Sequence, residues 1–161
     1  MQYGTDGMTY KGSGEYPMLL LEFEIRQLSH QDFRISTLNG LPVVSTPAEI
    51  DLLNKCQLTE AILTAAADAS GAIGVLVDMT GLVFMDCSAV GALVRAYRHL
   101  AEEGIELRIA ATHPKARWFL ALFGTDSELP LFRVFDTLPE AVTAPSVSAG
   151  RDNWARHPQA A

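Results

Sequence analysis

The chain has 161 residues, 48% of them hydrophobic, which suits one domain with a substantial core and leaves little room for two. Its 19 acidic and 12 basic residues give a net charge of −7 with no basic run, which argues against binding a nucleic-acid backbone and favours a neutral or basic partner surface. Cys56 and Cys87 show neither C-x-x-C pairing nor a histidine at ligand spacing, so no metal or cofactor is expected and the expected setting is reduced and cytoplasmic.

Residues 1–17 are Gly-rich and polar and read as a flexible tail, as do residues 145–161, which carry Trp154. The domain is expected over 18–144. No signal-peptide pattern opens the chain, and no apolar stretch approaches the ~20 residues that span a bilayer. "LLLEFEIRQL", residues 19–28, alternates toward its end and predicts a strand. Asn39-Gly40 between two β-prone runs predicts a hairpin over 32–38 and 41–46, because both residues tolerate positive φ. Leu52, Leu53, Cys56, Leu58, Ala61, Ile62 and Ala65 recur at helical spacing, predicting a helix from Asp51 to about Gly71.

"AIGVLVDM" is a short apolar run that fits a strand covered on both faces. A helix follows at about 88–103, closed by Gly104. "IELRIAA" alternates as a strand, "HPKARWFLALFG" gives a helix with Pro114 in its first turn, and "LFRVF" gives another strand. "TLPEAV" closes the domain as a helix in which Thr137 and Glu140 have capping-box spacing. Strands alternating with helices predict an α/β fold, a mixed sheet with substantial parallel pairing.

The stretch that bears chemistry is "LVFMDCSAVGALVRAYRHL", residues 82–100. A nucleophile elbow would need G-x-S-x-G, and "MDCSAVG" lacks the first glycine. None of His30, His99, His113 and His157 has an acidic partner at a triad position; His99 beside Arg95 and Arg98 reads as surface, and His113 as part of the turn leading into a helix. A phosphate loop would need more glycines than Gly81 and Gly91, and a lysine. A helix N-terminus lowers the pKa of a thiol such as Cys87, but the neighbouring Asp86 opposes thiolate formation. Without a positioned base, an enzyme with a Cys87 nucleophile is the weakest of the functional readings. The plain structural reading is that Asp86 or Ser88 caps the helix.

"GLVFMDCSAVGALVRA" resembles the Asp-Ser-Ser/Thr-Gly-Leu signature of STAS domains, the anti-sigma factor antagonists. "IGVLVDMTGL" resembles the apolar strand, Asp and turn that precede it, and "PVVSTPAEIDLLNKCQLTEAIL" the family's early strand–turn–helix element. The similarity runs over about 33–144. It implies a STAS-like mixed β-sheet with about four helices packed against it. It also implies a non-enzymatic protein that binds an anti-sigma factor, typically a serine kinase with a histidine-kinase-like ATPase fold, and so releases a sigma factor.

In the family, phosphorylation of the hydroxyl residue directly after the signature Asp breaks the complex, since about two negative charges arrive at a surface pressed against another protein. The chain departs from that pattern twice: the acceptor position holds Cys87, and the usual glycine is Ala89. Three readings stay open for Cys87: a switch that phosphorylation cannot operate, a switch moved to Ser88, or an oxidation sensor. The resemblance implies partner binding by Asp86, Cys87, Ser88, Ala89 and Val90, joined by Glu49 and Asp51 from a turn that the family's topology brings close. Asp78 could complete an acidic patch with them, although Asp51 also fits a cap and Asp78 a strand-end turn. The alternative function is a STAS scaffold or sensing module in a larger signalling complex, or one that binds a small apolar ligand. Homodimerisation stays open.

Overall fold

The computed structural model describes residues 33–69, 71–123, 125–126, 129–131 and 133–147. The expected strand at 19–28, the N-terminal tail and Trp154 lie outside the described residues. Strands β1 (Arg34–Leu38) and β2 (Leu41–Ser45) form the expected hairpin, paired antiparallel with Leu38 opposite Leu41. The turn works because Asn39 and Gly40 take φ of 51° and 80°, the left-handed pair that a two-residue hairpin demands.

After β2 come β3 (Glu49–Ile50), helix α1 (Lys55–Asp68), β4 (Gly74–Asp78), β5 (Phe84–Met85), α2 (Cys87–Glu102), β6 (Glu106–Ala110) and α3 (Pro114–Phe123). Then β7 (Thr125–Asp126), β8 (Leu129–Pro130), β9 (Arg133–Phe135) and α4 (Leu138–Thr143) complete the order. The main sheet runs β1-β2-β4-β6-β9, antiparallel only at its first pair and parallel thereafter. This is the mixed α/β architecture expected, with four helices among the described residues. None of the described helices is long and apolar enough to cross a membrane.

The period-2 alternation of the strands divides the core into two. Val44, Val75, Val77, Leu107 and Ile109 face α1, α2 and α3, where Leu58, Ile62, Ala92, Leu93, Ala96 and Leu120 meet them. Each fully buried Leu or Ile there contributes about 1.5–3 kcal/mol. Small residues on α2 (Ala89, Ala92, Ala96) let it lie close to the sheet, and the Thr59 hydroxyl ties α1 to it by donating to the Ala92 carbonyl at 3.2 Å. On the other face, Leu41, Val43, Leu76, Ala110 and Phe135 pack on Ala141 of α4.

One expectation is corrected here. The first helix starts at Lys55, not Asp51, because residues 51–54 close on themselves in a turn. The Asp51 carboxylate accepts from Leu53 N–H at 2.8 Å, and Asn54 Oδ1 accepts from Asp51 N–H at 3.0 Å. Leu52 and Leu53 therefore leave the helical face they were assigned to and stand 63% and 86% exposed, and Cys56 is exposed as well. The strand expected at "IELRIAA" is β6, and it is buried throughout, including Glu106 and Arg108. Gly74 makes room beside it: a Cβ there would lie 3.2 Å from the Glu106 carbonyl oxygen.

Candidate functional site

The site grows from the short parallel pair β3–β5, which sets Glu49 opposite Phe84 and Ile50 opposite Met85. Asp86 N–H donates to the Ile50 carbonyl at 3.2 Å, continuing the pairing by one residue. The turn at Asp51 and the start of α2 are thereby brought side by side, as the family resemblance implied.

Asp86 is the N-cap of α2. Its Oδ1 accepts from Ser88 N–H at 2.8 Å, from the Ser88 hydroxyl at 2.5 Å and from Ala89 N–H at 3.4 Å. Partial burial pushes the Asp86 carboxyl up, but hydrogen bonds from the Ser88 hydroxyl and from the N–H groups of Ser88, Ala89 and Leu52 outweigh it and hold it below its ordinary value.

A carboxyl depressed in the folded chain adds stability that is present above the unfolded value of about 4 and is lost as pH falls through the folded value. We expect Asp86→Ala to lower stability at neutral pH by about 1 kcal/mol, with Asp86→Asn near wild type because Asn also caps. Urea unfolding at pH 7 and at pH 3 checks this: the gap between wild type and Asp86→Ala should shrink at the lower pH.

Cys87 is the first helical residue and is exposed, with a free thiol. Ser88 is half-buried and its hydroxyl points back to Asp86. Ala89 and Val90, expected on the contact surface, are 0% and 2% exposed and belong to the core. The helix turns them inward, so the outer face of its first turns passes to Cys87 and Gly91, one turn apart. Farther along that helix, Arg95, Arg98 and His99 are exposed, in keeping with the surface reading of His99.

Glu49 is exposed and Asp51 half-exposed beside this turn. Asp78 ends β4, where its Oδ1 accepts from both the N–H and the hydroxyl of Thr80, as a turn residue does. His113 lies in the turn into α3, with Nδ1 accepting from Lys115 N–H at 3.2 Å. Among the described residues no group of three His, Cys, Asp or Glu side chains is placed to hold a metal.

The sequence reading missed the exposed apolar residues of the 51–54 turn and of the segment leading into the cap. Leu52, Leu53, Val83 and Phe84 are exposed, and Lys115 Nζ stands 5.9 Å from the centre of the Phe84 ring. It also missed Asn54, 4% exposed, whose Nδ2 donates to the Glu49 carbonyl at 2.9 Å and braces the turn. The spacing Asp-Leu-Leu-Asn was the available signal: an Asx turn frees the two leucines that a helix would have buried.

Comparison with known proteins gives a consistent result. Residues 32–141 match the family model for the STAS domain. A Mycobacterium tuberculosis protein, Rv2638, provisionally assigned as an anti-anti-sigma factor, is 30% identical over 95 residues, covering 59% of this chain and 64% of its own length. The chain thus spans somewhat less than two-thirds of that relative. An anti-sigma factor antagonist from Mycobacterium paratuberculosis superposes with a TM-score of 0.59 at 26% identity, over 70% of this chain and 91% of that one. A STAS-domain protein from Planctomyces limnophilus shares the fold, with a TM-score of 0.56 at 23% identity over 69% and 94% of the two chains. With the signature Asp capping α2 and well over half of its residues matching the family model, the chain belongs to the STAS-domain family.

Proposed function

We propose that the chain is an anti-sigma factor antagonist: it binds an anti-sigma factor of the serine-kinase type, with a histidine-kinase-like ATPase fold, and so frees a sigma factor. It acts by binding and carries no reaction of its own. The observation that supports this most is the Asp86-capped turn, which presents an exposed Cys87, with exposed apolar residues on the paired segments that lead into it. Leu52, Leu53, Val83 and Phe84 supply area to bury, while Glu49, Asp51 and Asp86 supply charge that orients a basic partner. The relatives named as anti-sigma factor antagonist and anti-anti-sigma factor point the same way.

The regulatory reading we favour is an antagonist that phosphorylation does not switch off. The exposed first position of α2 holds a thiol, which a serine kinase does not use. The neighbouring Ser88 hydroxyl is half-buried and donates to Asp86 Oδ1 at 2.5 Å. A phosphoryl group on that oxygen would have to sit against the carboxylate. Titrating the chain into an anti-sigma factor bound to its sigma factor tests the proposal: complex formation should saturate at one to one as sigma is released.

A further inference from the structure

Helix α3 carries apolar surface that the fold does not use. Its inward side is fixed: Ala116 and Leu120 are buried in the core, and Arg117 Nη1 donates to the Ala111 carbonyl at 3.2 Å. Lys115, Trp118 and Leu122 follow one another at steps of three and four, so they share one outward stripe. Trp118 is 58% exposed and Leu122 51%.

The fold nevertheless holds the indole in place. The Trp118 ring stands edge-on to Phe119, with centroids 5.2 Å apart and planes at 74°, and Phe119 packs against the core. An aromatic side chain that is exposed yet braced loses little freedom when a second protein buries it, which is the property of an interface anchor.

The stripe connects with the segment that leads into the cap. Lys115 Nζ lies 5.9 Å from the centre of the exposed Phe84 ring, and β5, which holds Phe84, ends one residue before Asp86. Phe84 therefore joins the signature turn to α3, and the exposed apolar side chains here form a connected set rather than scattered single residues. The charge along that set changes sign. Glu49, which pairs with Phe84, and Asp86 are acidic, whereas Lys115 is basic.

We propose that the outward stripe of α3 is a second part of the contact with the anti-sigma factor. Trp118 enters an apolar pocket on the partner, Leu122 borders that pocket, and Lys115 meets a partner carboxylate while Asp86 faces the partner's basic surface. An aromatic anchor between two points of opposite charge fixes the partner's register and discriminates among anti-sigma factors of one fold. This inference rests on the anti-sigma factor reading above and extends its surface to a third helix.

Calorimetric titration of the full chain against each serine-kinase anti-sigma factor of the same genome, purified singly, tests it. For a factor that the wild type binds, Trp118→Ala should weaken binding about 30-fold, as loss of an aromatic hot spot does. Leu122→Ala should weaken it about fivefold. Lys115→Glu should weaken it about tenfold, with a smaller loss in about 0.5 M salt. Ile73→Ser, which changes an exposed apolar residue just before β4, should bind as the wild type does. Every substituted side chain is exposed, and circular dichroism establishes folding. Trp118→Ala and Lys115→Glu both binding as tightly as the wild type would overturn the α3 contact and leave the Asp86 contact standing. A loss with Ile73→Ser as large as with Trp118→Ala would overturn the α3 contact as well. A wild type that binds none of the factors would overturn the anti-sigma factor reading, and this one with it.

Discussion

Replacing Cys87 by serine is expected to turn a chain that takes up no phosphate into one that takes up a single phosphate per molecule from the partner kinase and ATP. Cys87 is exposed as the first residue of α2, so a hydroxyl there is accessible without unfolding the turn. The helix N-terminus tolerates the added charge, since its orphan N–H groups and dipole favour an anion. What would not tolerate it is the desolvated interface proposed above, which already contains Asp86 and Glu49. The phosphorylated variant should therefore lose its partner, while the unphosphorylated variant should bind like wild type because serine and cysteine differ little in size. Phosphopeptide mass spectrometry and a binding titration before and after ATP check both halves. Phosphate found at Ser88 of the wild-type chain would contradict the reading in which Asp86 ties up that hydroxyl.

The second large effect concerns Asp86. Asp86→Lys is expected to weaken binding to the anti-sigma factor on the order of 100-fold, about 2.7 kcal/mol. Reversing a charge at the centre of the proposed contact would replace an attraction to a basic partner with a repulsion, and losing one member of a desolvated charge pair costs about 2–5 kcal/mol. The change also removes the acceptor of the Ser88 and Ala89 N–H groups, so α2 loses its cap. Asp86→Asn separates the two causes, since it keeps the cap and loses only the charge. Calorimetric titration of the three proteins, with circular dichroism to establish folding, gives the answer. Equal affinities for all three would place the contact elsewhere.

The order of elements was legible because each rests on local chemistry. Asn39-Gly40 dictates its hairpin, the continuous apolar run of β4 dictates a strand covered on both faces, and Asp86 dictates where α2 begins. The capping role of Thr137 was likewise readable: its hydroxyl accepts from Glu140 N–H at 3.3 Å. The two-residue strands β3 and β5 were not readable, since two residues have no period, and their pairing depends on a contact between parts of the chain 35 positions apart, as between Glu49 and Phe84.

The same limit hid the site's exposed apolar residues. Helical spacing placed Leu52 and Leu53 inward, and only the competition of the Asp51 and Asn54 side chains for backbone groups turned them outward. Ala89 and Val90 belong to the signature by sequence and to the core by geometry, a distinction that motif matching does not draw. The alternation of Glu106 and Arg108 correctly indicated a strand, but gave no sign that the polar side would be covered too.

The most direct test of the account is displacement. A labelled sigma factor is held by its anti-sigma factor, and the chain is added in increments while sigma release is followed by fluorescence anisotropy. Release should saturate at one chain per anti-sigma factor, persist when ATP is present, and be abolished by Asp86→Lys at the same concentrations. Sigma remaining bound at a large excess of chain, or released equally well by Asp86→Lys, would contradict it.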